Sequence, residues 1–151
     1  MIPRKRNTYY EGQLKDAVFG FRRRLLASGE AVRSFEQAFA EIFGFSDAVA
    51  TCTGRDGLLL LLEACGVTAG DEIVLPAYTL GELVNLLKSR GYVPVLADVD
   101  GSSYQLTAKS VEPRITERTK AIIATHLFGW PCDIVNIVEL ARERGLIVIE
   151  D

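Results

Sequence analysis

The residues of this chain best suited to chemistry are a glycine and an arginine set between an apolar strand pattern and a helical one. The segment AVATCTGRDGLLLLLE (48–63) reads as a short buried strand, a turn at Thr53-Gly54-Arg55 and a helix opening behind Asp56. A strand that feeds a helix through such a turn leaves backbone N–H groups free at the helix N-terminus. Those groups, together with the helix dipole, favour a phosphate or a carboxylate. The spacing matches neither common nucleotide loop, GxxxxGK or GxGxxG. The expected feature is therefore a shorter anion cup built from the amides of Gly54, Arg55 and Asp56; a plain strand-to-helix turn with Asp56 as the helix cap is the competing reading. Two further groups carry chemistry. His126 is the only histidine, and the acid pair Glu150-Asp151 follows the apolar run Ile147-Val148-Ile149. A carboxylate at the end of a buried strand calls for a partner, because an unpaired one is costly there.

The elements that hold these groups follow from the apolar spacing. Residues 1–12 are polar, and from Gln13 to Ala27 apolar residues fall at Leu14, Val18, Phe21 and Leu25, which predicts a helix. A second helix is predicted over Glu30–Phe43, with Val32, Phe35, Phe39 and Ile42 on one side and Gly44 as its stop. Short aliphatic runs then predict strands at 48–51, 72–75, 93–97, 121–125 and 146–149. Helical patterns at 56–65, 80–90 and 134–144 lie between most of them, and the polar stretch 98–119 holds one short helix around 108–112. Strands alternating with helices mean an α/β fold, a mostly parallel sheet with helices on both faces. Right-handed crossovers place the strand carboxyl ends, and the loops after them, along one edge, where ligands bind in open α/β sheets. That edge would carry Thr53-Gly54-Arg55, the loop 76–79, Asp98-Val99-Asp100, His126 and Glu150-Asp151. The expected organisation is an N-terminal helical segment, residues 1–44, and a larger domain, residues 45–151. Because the last residues end a strand at the ligand edge with no covering helix, the chain reads as the front part of a longer protein.

Composition narrows the function classes. A 151-residue chain with 48% hydrophobic residues can bury a sizeable core. A net charge of −3 supplies no basic field of the kind that attracts nucleic acid. The basic runs Arg4-Lys5-Arg6 and Arg22-Arg23-Arg24 lie near the N-terminus, and the second is interleaved with Phe19, Phe21, Leu25 and Leu26 as on a solvated helix face. Cys52, Cys65 and Cys132 have no CxxC spacing and there is one histidine, so no metal is expected. The longest apolar run, Leu58–Leu62, is too short to span a bilayer, and the odd cysteine count points to a reducing compartment. The expected protein is cytoplasmic, with no nucleic-acid or membrane partner.

From Ser28 onward the order of pieces resembles the DegT/DnrJ/EryC1/StrS family of sugar aminotransferases, pyridoxal phosphate (PLP) enzymes of the aspartate-aminotransferase fold. The pieces are SGEAVRSFEQAFAEIFG, GVTAGDEIVLPAYT, GYVPVLADVD, ITERTKAIIATHLFGWPCDI and ARERGLIVIED. Each alone is ordinary; together, in order and with matching gaps, they carry the resemblance over most of the chain. It implies a partial large domain of a fold type I PLP transferase. The family's Ser-Gly-Thr turn, which holds the PLP phosphate, matches Thr53-Gly54-Arg55, with Arg55 in place of a hydroxyl residue. A guanidinium there suits a phosphate dianion. The family's ring-stacking aromatic matches Leu80, which packs without π-stacking, so either Tyr78 takes that role or Tyr78 is a core or interface aromatic.

Asp151 matches the family's partner of the pyridine nitrogen. PLP is an electron sink only while that nitrogen stays protonated, and an adjacent carboxylate ensures it. His126, in Thr125-His126-Leu127-Phe128-Gly129, matches a segment close to the cofactor and is equally compatible with a structural histidine. Asp98 and Asp100 read as turn residues. The lysine that forms the Schiff base lies beyond Asp151 in the family, so the chain alone is expected to be inactive. The complete protein is expected to be a homodimer that transfers an amino group, commonly from glutamate, to a keto group of a nucleotide-linked sugar. Two alternatives stand beside this: a PLP-dependent sugar dehydratase of the same family, and a non-catalytic regulatory or binding relative.

Overall fold

The computed structural model describes residues 29–151, so the helix predicted over Gln13–Ala27 and both basic runs lie outside the described residues. The chain divides into two compact units, Met1–Thr51 and Cys52–Asp151. In the first, helix α1 spans Glu30–Phe43, as its apolar spacing predicts, and Gly44 ends it by donating to the carbonyls of Ala40 and Glu41. Phe35, Phe39 and Phe43 run along the helix with ring centroids 5.9 and 4.6 Å apart, and Phe45 joins them at 6.0 Å from Phe43. The strand predicted over 48–51 does not form. A strand exists only through its ladder, and here the Ala50 N–H donates to the Glu36 carboxylate at 2.8 Å instead of to a sheet neighbour.

The second unit is built from alternating elements. Helix α2 (Gly54–Ala64) precedes β1 (Glu72–Pro76), α3 (Gly81–Ser89) and β2 (Val93–Ala97). A short α4 (Ala108–Val111) runs into a 3-10 turn at Glu112–Arg114. Then come β3 (Thr119–Ala124), a 3-10 turn at Leu127–Gly129, α5 (Ile134–Arg144) and β4 (Ile147–Glu150). The strands form a four-stranded sheet in the order β2-β1-β3-β4. All three pairings are parallel, with Glu72 opposite Val93 and Ala121 opposite Ile147.

Strand periodicity explains the two cores. Ile73, Leu75, Ala121, Ile123 and Ile149 point to one face, where Leu58, Leu59 and Leu62 of α2 and Leu87 of α3 cover them. Val74, Ala97, Ile122 and Ala124 point to the other, against Val111 of α4 and Ile137, Leu140 and Ala141 of α5. Helices on both faces are therefore what the fold has, and each fully buried aliphatic side chain contributes about 1.5–3 kcal/mol. Central β1 is buried along its whole length, which is why residues 73–76 read as an unbroken apolar run behind Glu72.

Two glycines set entry angles that no other residue would tolerate well. Gly145 (φ 66) closes α5 and turns the chain directly into β4. Gly91 (φ 82) approaches Ala69 so closely that an added Cβ would stand 2.9 Å from the alanine Cβ. Its carbonyl accepts from Gly70 N–H at 2.8 Å, tying together the loops that lead into β1 and β2.

The sheet end opposite the site holds a buried carboxylate. Glu72 is 4% exposed. It accepts from Thr116 Oγ1 at 2.5 Å, Arg118 Nη2 at 2.5 Å and Thr119 Oγ1 at 3.4 Å. The Thr116 hydroxyl first, and then Arg118 and Thr119, hold its carboxyl below the usual carboxylate range against the opposing effect of burial. This cluster fastens the start of β1 to the loop before β3.

Candidate functional site

The turn before α2 is organised by Thr53. Its extended backbone makes it the helix cap, and its hydroxyl accepts from the Asp56 N–H at 3.1 Å and donates to the Asp56 carboxylate at 2.8 Å. Gly57 N–H reaches the Thr53 carbonyl at 3.1 Å. Asp56 is therefore the reciprocal partner of the cap and not the cap itself, and its amide is already engaged. The amides of Gly54 and Arg55 stand at the first two helical positions, where an α-helix offers no internal acceptor. Of the three amides singled out from sequence, that of Asp56 is thus taken by Thr53, while those of Gly54 and Arg55 face the helix N-terminus.

The carboxyl edge of the sheet brings most of the expected residues to one place. A cleft of about 370 Å³ is lined by Thr53, Gly54, Arg55, Leu58, Leu80, Leu83 and Asp151. Four of the sequence-derived candidates, Gly54, Arg55, Leu80 and Asp151, share it. Leu80 sits at the cap position of α3, and Leu83, one turn on, extends the same apolar wall. Arg55 does not extend freely into the cleft: its guanidinium pairs with the carboxylate of Glu82 in the first turn of α3. Tyr78 lies elsewhere, with its ring 5.8 Å from that of Tyr104 and 6.4 Å from that of Phe128, and does not line the cleft.

Asp151 is fixed through its backbone. Its N–H donates to the Ala124 carbonyl at 3.0 Å, and its carbonyl accepts from the His126 N–H at 2.7 Å, so the β3–β4 ladder continues one step past both strands. Its carboxylate is exposed and lies 3.5 Å from Thr125 Oγ1. A carboxylate anchored on a sheet ladder while its oxygens stay accessible can hold a cation or a protonated nitrogen presented from the cleft.

His126 and Asp56 do not line the cleft. His126 Nδ1 accepts from Cys132 N–H at 3.1 Å, which leaves Nε2 to carry the proton toward Glu150 Oε2 at 3.0 Å. The histidine therefore braces the end of β4 against the loop that follows β3. Burial pushes the Cys132 thiol up, away from the reactive thiolate. Asp100 accepts from the N–H and hydroxyl groups of both Ser102 and Ser103, which places it in a turn, as expected. The Ser102 hydroxyl leads the donors that hold the Asp100 carboxyl far below the usual range. The Asp98 carboxylate accepts from the Val99 N–H at 2.9 Å and does not line the cleft.

Sequence reasoning missed Gln105. It is 5% exposed and grips the Leu127 backbone from both sides, donating to the carbonyl at 3.0 Å and accepting from the N–H at 3.2 Å. That clamp holds the turn in which Phe128 takes a left-handed backbone (φ 58). A glutamine 22 residues from its partner leaves no local signal. Among the described residues there is no cluster of His, Cys, Asp and Glu able to hold a metal ion, and no helix long and apolar enough to cross a membrane.

The DegT/DnrJ/EryC1/StrS aminotransferase family profile matches residues 13–151. GDP-perosamine synthase of Escherichia coli O157:H7 is 40% identical over 125 residues, covering 83% of this chain and 34% of that protein. The aminotransferase from Psychrobacter cryohalolentis superposes with a TM-score of 0.88 at 31% identity, covering 96% of this chain and 37% of the other. NtdA from Bacillus subtilis, solved with bound cofactor PMP, superposes with a TM-score of 0.81 at 28% identity, covering 91% of this chain and 32% of the other. The chain thus spans about a third of the length of the curated relatives it matches.

Proposed function

The chain belongs to the DegT/DnrJ/EryC1/StrS aminotransferase family, and from that premise we propose that it supplies the cofactor-holding part of a PLP-dependent aminotransferase. The substrate is a keto group on a nucleotide-linked sugar, in keeping with the similarity to GDP-perosamine synthase. Residues 45–151 are then part of the large domain. The amino donor is glutamate, and the complete protein is a cytoplasmic homodimer. The relatives it resembles, a GDP-perosamine synthase and aminotransferases, do not favour the dehydratase or the cofactor-free alternative.

The single observation that carries this reading is the shared cleft of Gly54, Arg55, Leu80 and Asp151. Its parts match the parts of the cofactor. The N–H groups of Gly54 and Arg55, aided by the α2 dipole, hold the phosphate. Leu80 and Leu83 form an apolar wall suited to a flat ring, and they exclude water from one face. The Asp151 carboxylate keeps the pyridine nitrogen protonated, because a neighbouring negative charge favours the charged form of that nitrogen. His126 acts one step back, through the 2.7 Å bond from its N–H to the Asp151 carbonyl. When bound, PLP supplies the electron sink that the side chains of this chain lack.

The test is Asp151→Asn in the complete protein, with cofactor content and turnover measured together. The amide cannot hold a proton on the nitrogen by charge. Turnover should fall by at least about 100-fold, the scale for losing one preorganised charge-stabilising group, while PLP is still bound. Turnover within a few-fold of the parent at full PLP loading would remove Asp151 from this role.

A further inference from the structure

The Arg55–Glu82 ion pair joins the first turns of α2 and α3 at the mouth of the same cleft. Each of those turns is the positive end of a helix dipole. Arg55 lines the cleft through its position at the start of α2, and Glu82 lies between Leu80 and Leu83, which form the facing wall. Both side chains are more than half exposed, at 55% and 69%, so the pair is weak and readily exchanged. A phosphate dianion is a stronger partner for a guanidinium than one carboxylate, since it offers more charge and a matching fork of oxygens.

We propose that Glu82 is a built-in counter-anion for the cup, holding Arg55 until a phosphate displaces it. This rests on the phosphate-cup reading given above and adds a regulatory element to that site. Arg55 then contributes two donors to the bound phosphate, its backbone N–H and its guanidinium. Released Glu82 stays solvated in the first turn of α3, where the helix dipole favours a negative charge. The consequence is a cup that holds its phosphate less tightly than Arg55 alone would allow, and therefore exchanges it faster.

The experiment compares the affinities of the complete protein for pyridoxal 5'-phosphate and for pyridoxal, which lacks the phosphate, by absorbance titration. The ratio of the two isolates the phosphate contribution. It is measured for the parent, Glu82→Gln, Arg55→Gln and the double variant, with circular dichroism to verify that each is folded. Glu82→Gln should raise the ratio by about two- to five-fold, the range of an exposed ion pair. Arg55→Gln should lower it, and in that background the gain from Glu82→Gln should largely disappear. Glu82→Asp, which keeps the charge and shortens its reach, should raise the ratio in the same direction as Glu82→Gln. An unchanged or lowered ratio for Glu82→Gln overturns the proposal, as does an equal gain with and without Arg55. A parent ratio of one would instead remove the phosphate cup itself.

Discussion

Replacing the buried carboxylate of Glu72 tests whether the sheet that carries the site is fastened at its far end as described. Three donors converge on it, at 2.5, 2.5 and 3.4 Å. Hydrogen bonds to a charged acceptor contribute about 1.5–3 kcal/mol each. Arg118 is itself 69% exposed and recovers most of its loss in water, so the threonine contacts dominate. Glu72→Ala should therefore destabilise β1 and β3 by about 2–4 kcal/mol, and Glu72→Gln, which keeps an acceptor but loses the charge, by about 1–2 kcal/mol. The pH dependence separates charge from packing. The folded-state pKa of Glu72 is lowered, so its contribution is complete above the unfolded value of about 4.3 and is lost as pH falls through the folded value. The gap between the parent and Glu72→Gln should accordingly close in that acid window. The assay is native-state amide exchange at Ile73, Val74 and Ile122, read at neutral pH and again below pH 4.3. Equal protection in parent and Gln variant at neutral pH, or a gap that does not change with pH, would refute the reasoning.

Other positions give sharp expectations. Gly91→Ala forces a left-handed backbone on alanine and drives its Cβ to 2.9 Å from that of Ala69; it should cost about 1–3 kcal/mol in thermal unfolding, with Ala69→Gly restoring part of it. Gln105→Ala removes both grips on Leu127 and should destabilise by about 1–3 kcal/mol. The same change should raise the proteolytic sensitivity of the 127–129 turn without altering β1. Thr53→Ala removes the cap of α2; a loss of about 1 kcal/mol is expected in urea unfolding, with protection lost first at Asp56 and Gly57.

Local pattern made much of this architecture readable. The run at 93–97 and the helix at 134–144 match β2 and α5 residue for residue. The turn at Gly91 and the left-handed stop at Gly145 punctuate them in the sequence itself. The strand expected at 48–51 failed because strand formation depends on a distant partner, and apolar content alone cannot supply one. Part of the cleft was readable for a topological reason: parallel crossovers put Leu80 and Asp151 at one sheet edge however long the loops between them, whereas Gly54 follows no strand and is brought there by the packing of α2 on the sheet. What stayed hidden were the pairings of side chains far apart in sequence. Arg55 meets Glu82 across 27 residues and Gln105 meets Leu127 across 22, and neither spacing has a period that a pattern search would detect. Asp56 shows the finer limit, since both readings of the turn gave it a place there, yet only the geometry revealed that Thr53 is the cap.

A crystal structure of the complete protein loaded with PLP tests the central claim most directly. The expected result is a phosphate within hydrogen-bond distance of the Gly54 and Arg55 N–H groups and the Asp151 carboxylate on the pyridine nitrogen, in the cleft walled by Leu80 and Leu83. A phosphate held by other residues, or an Asp151 carboxylate turned away from the ring nitrogen, would contradict the account.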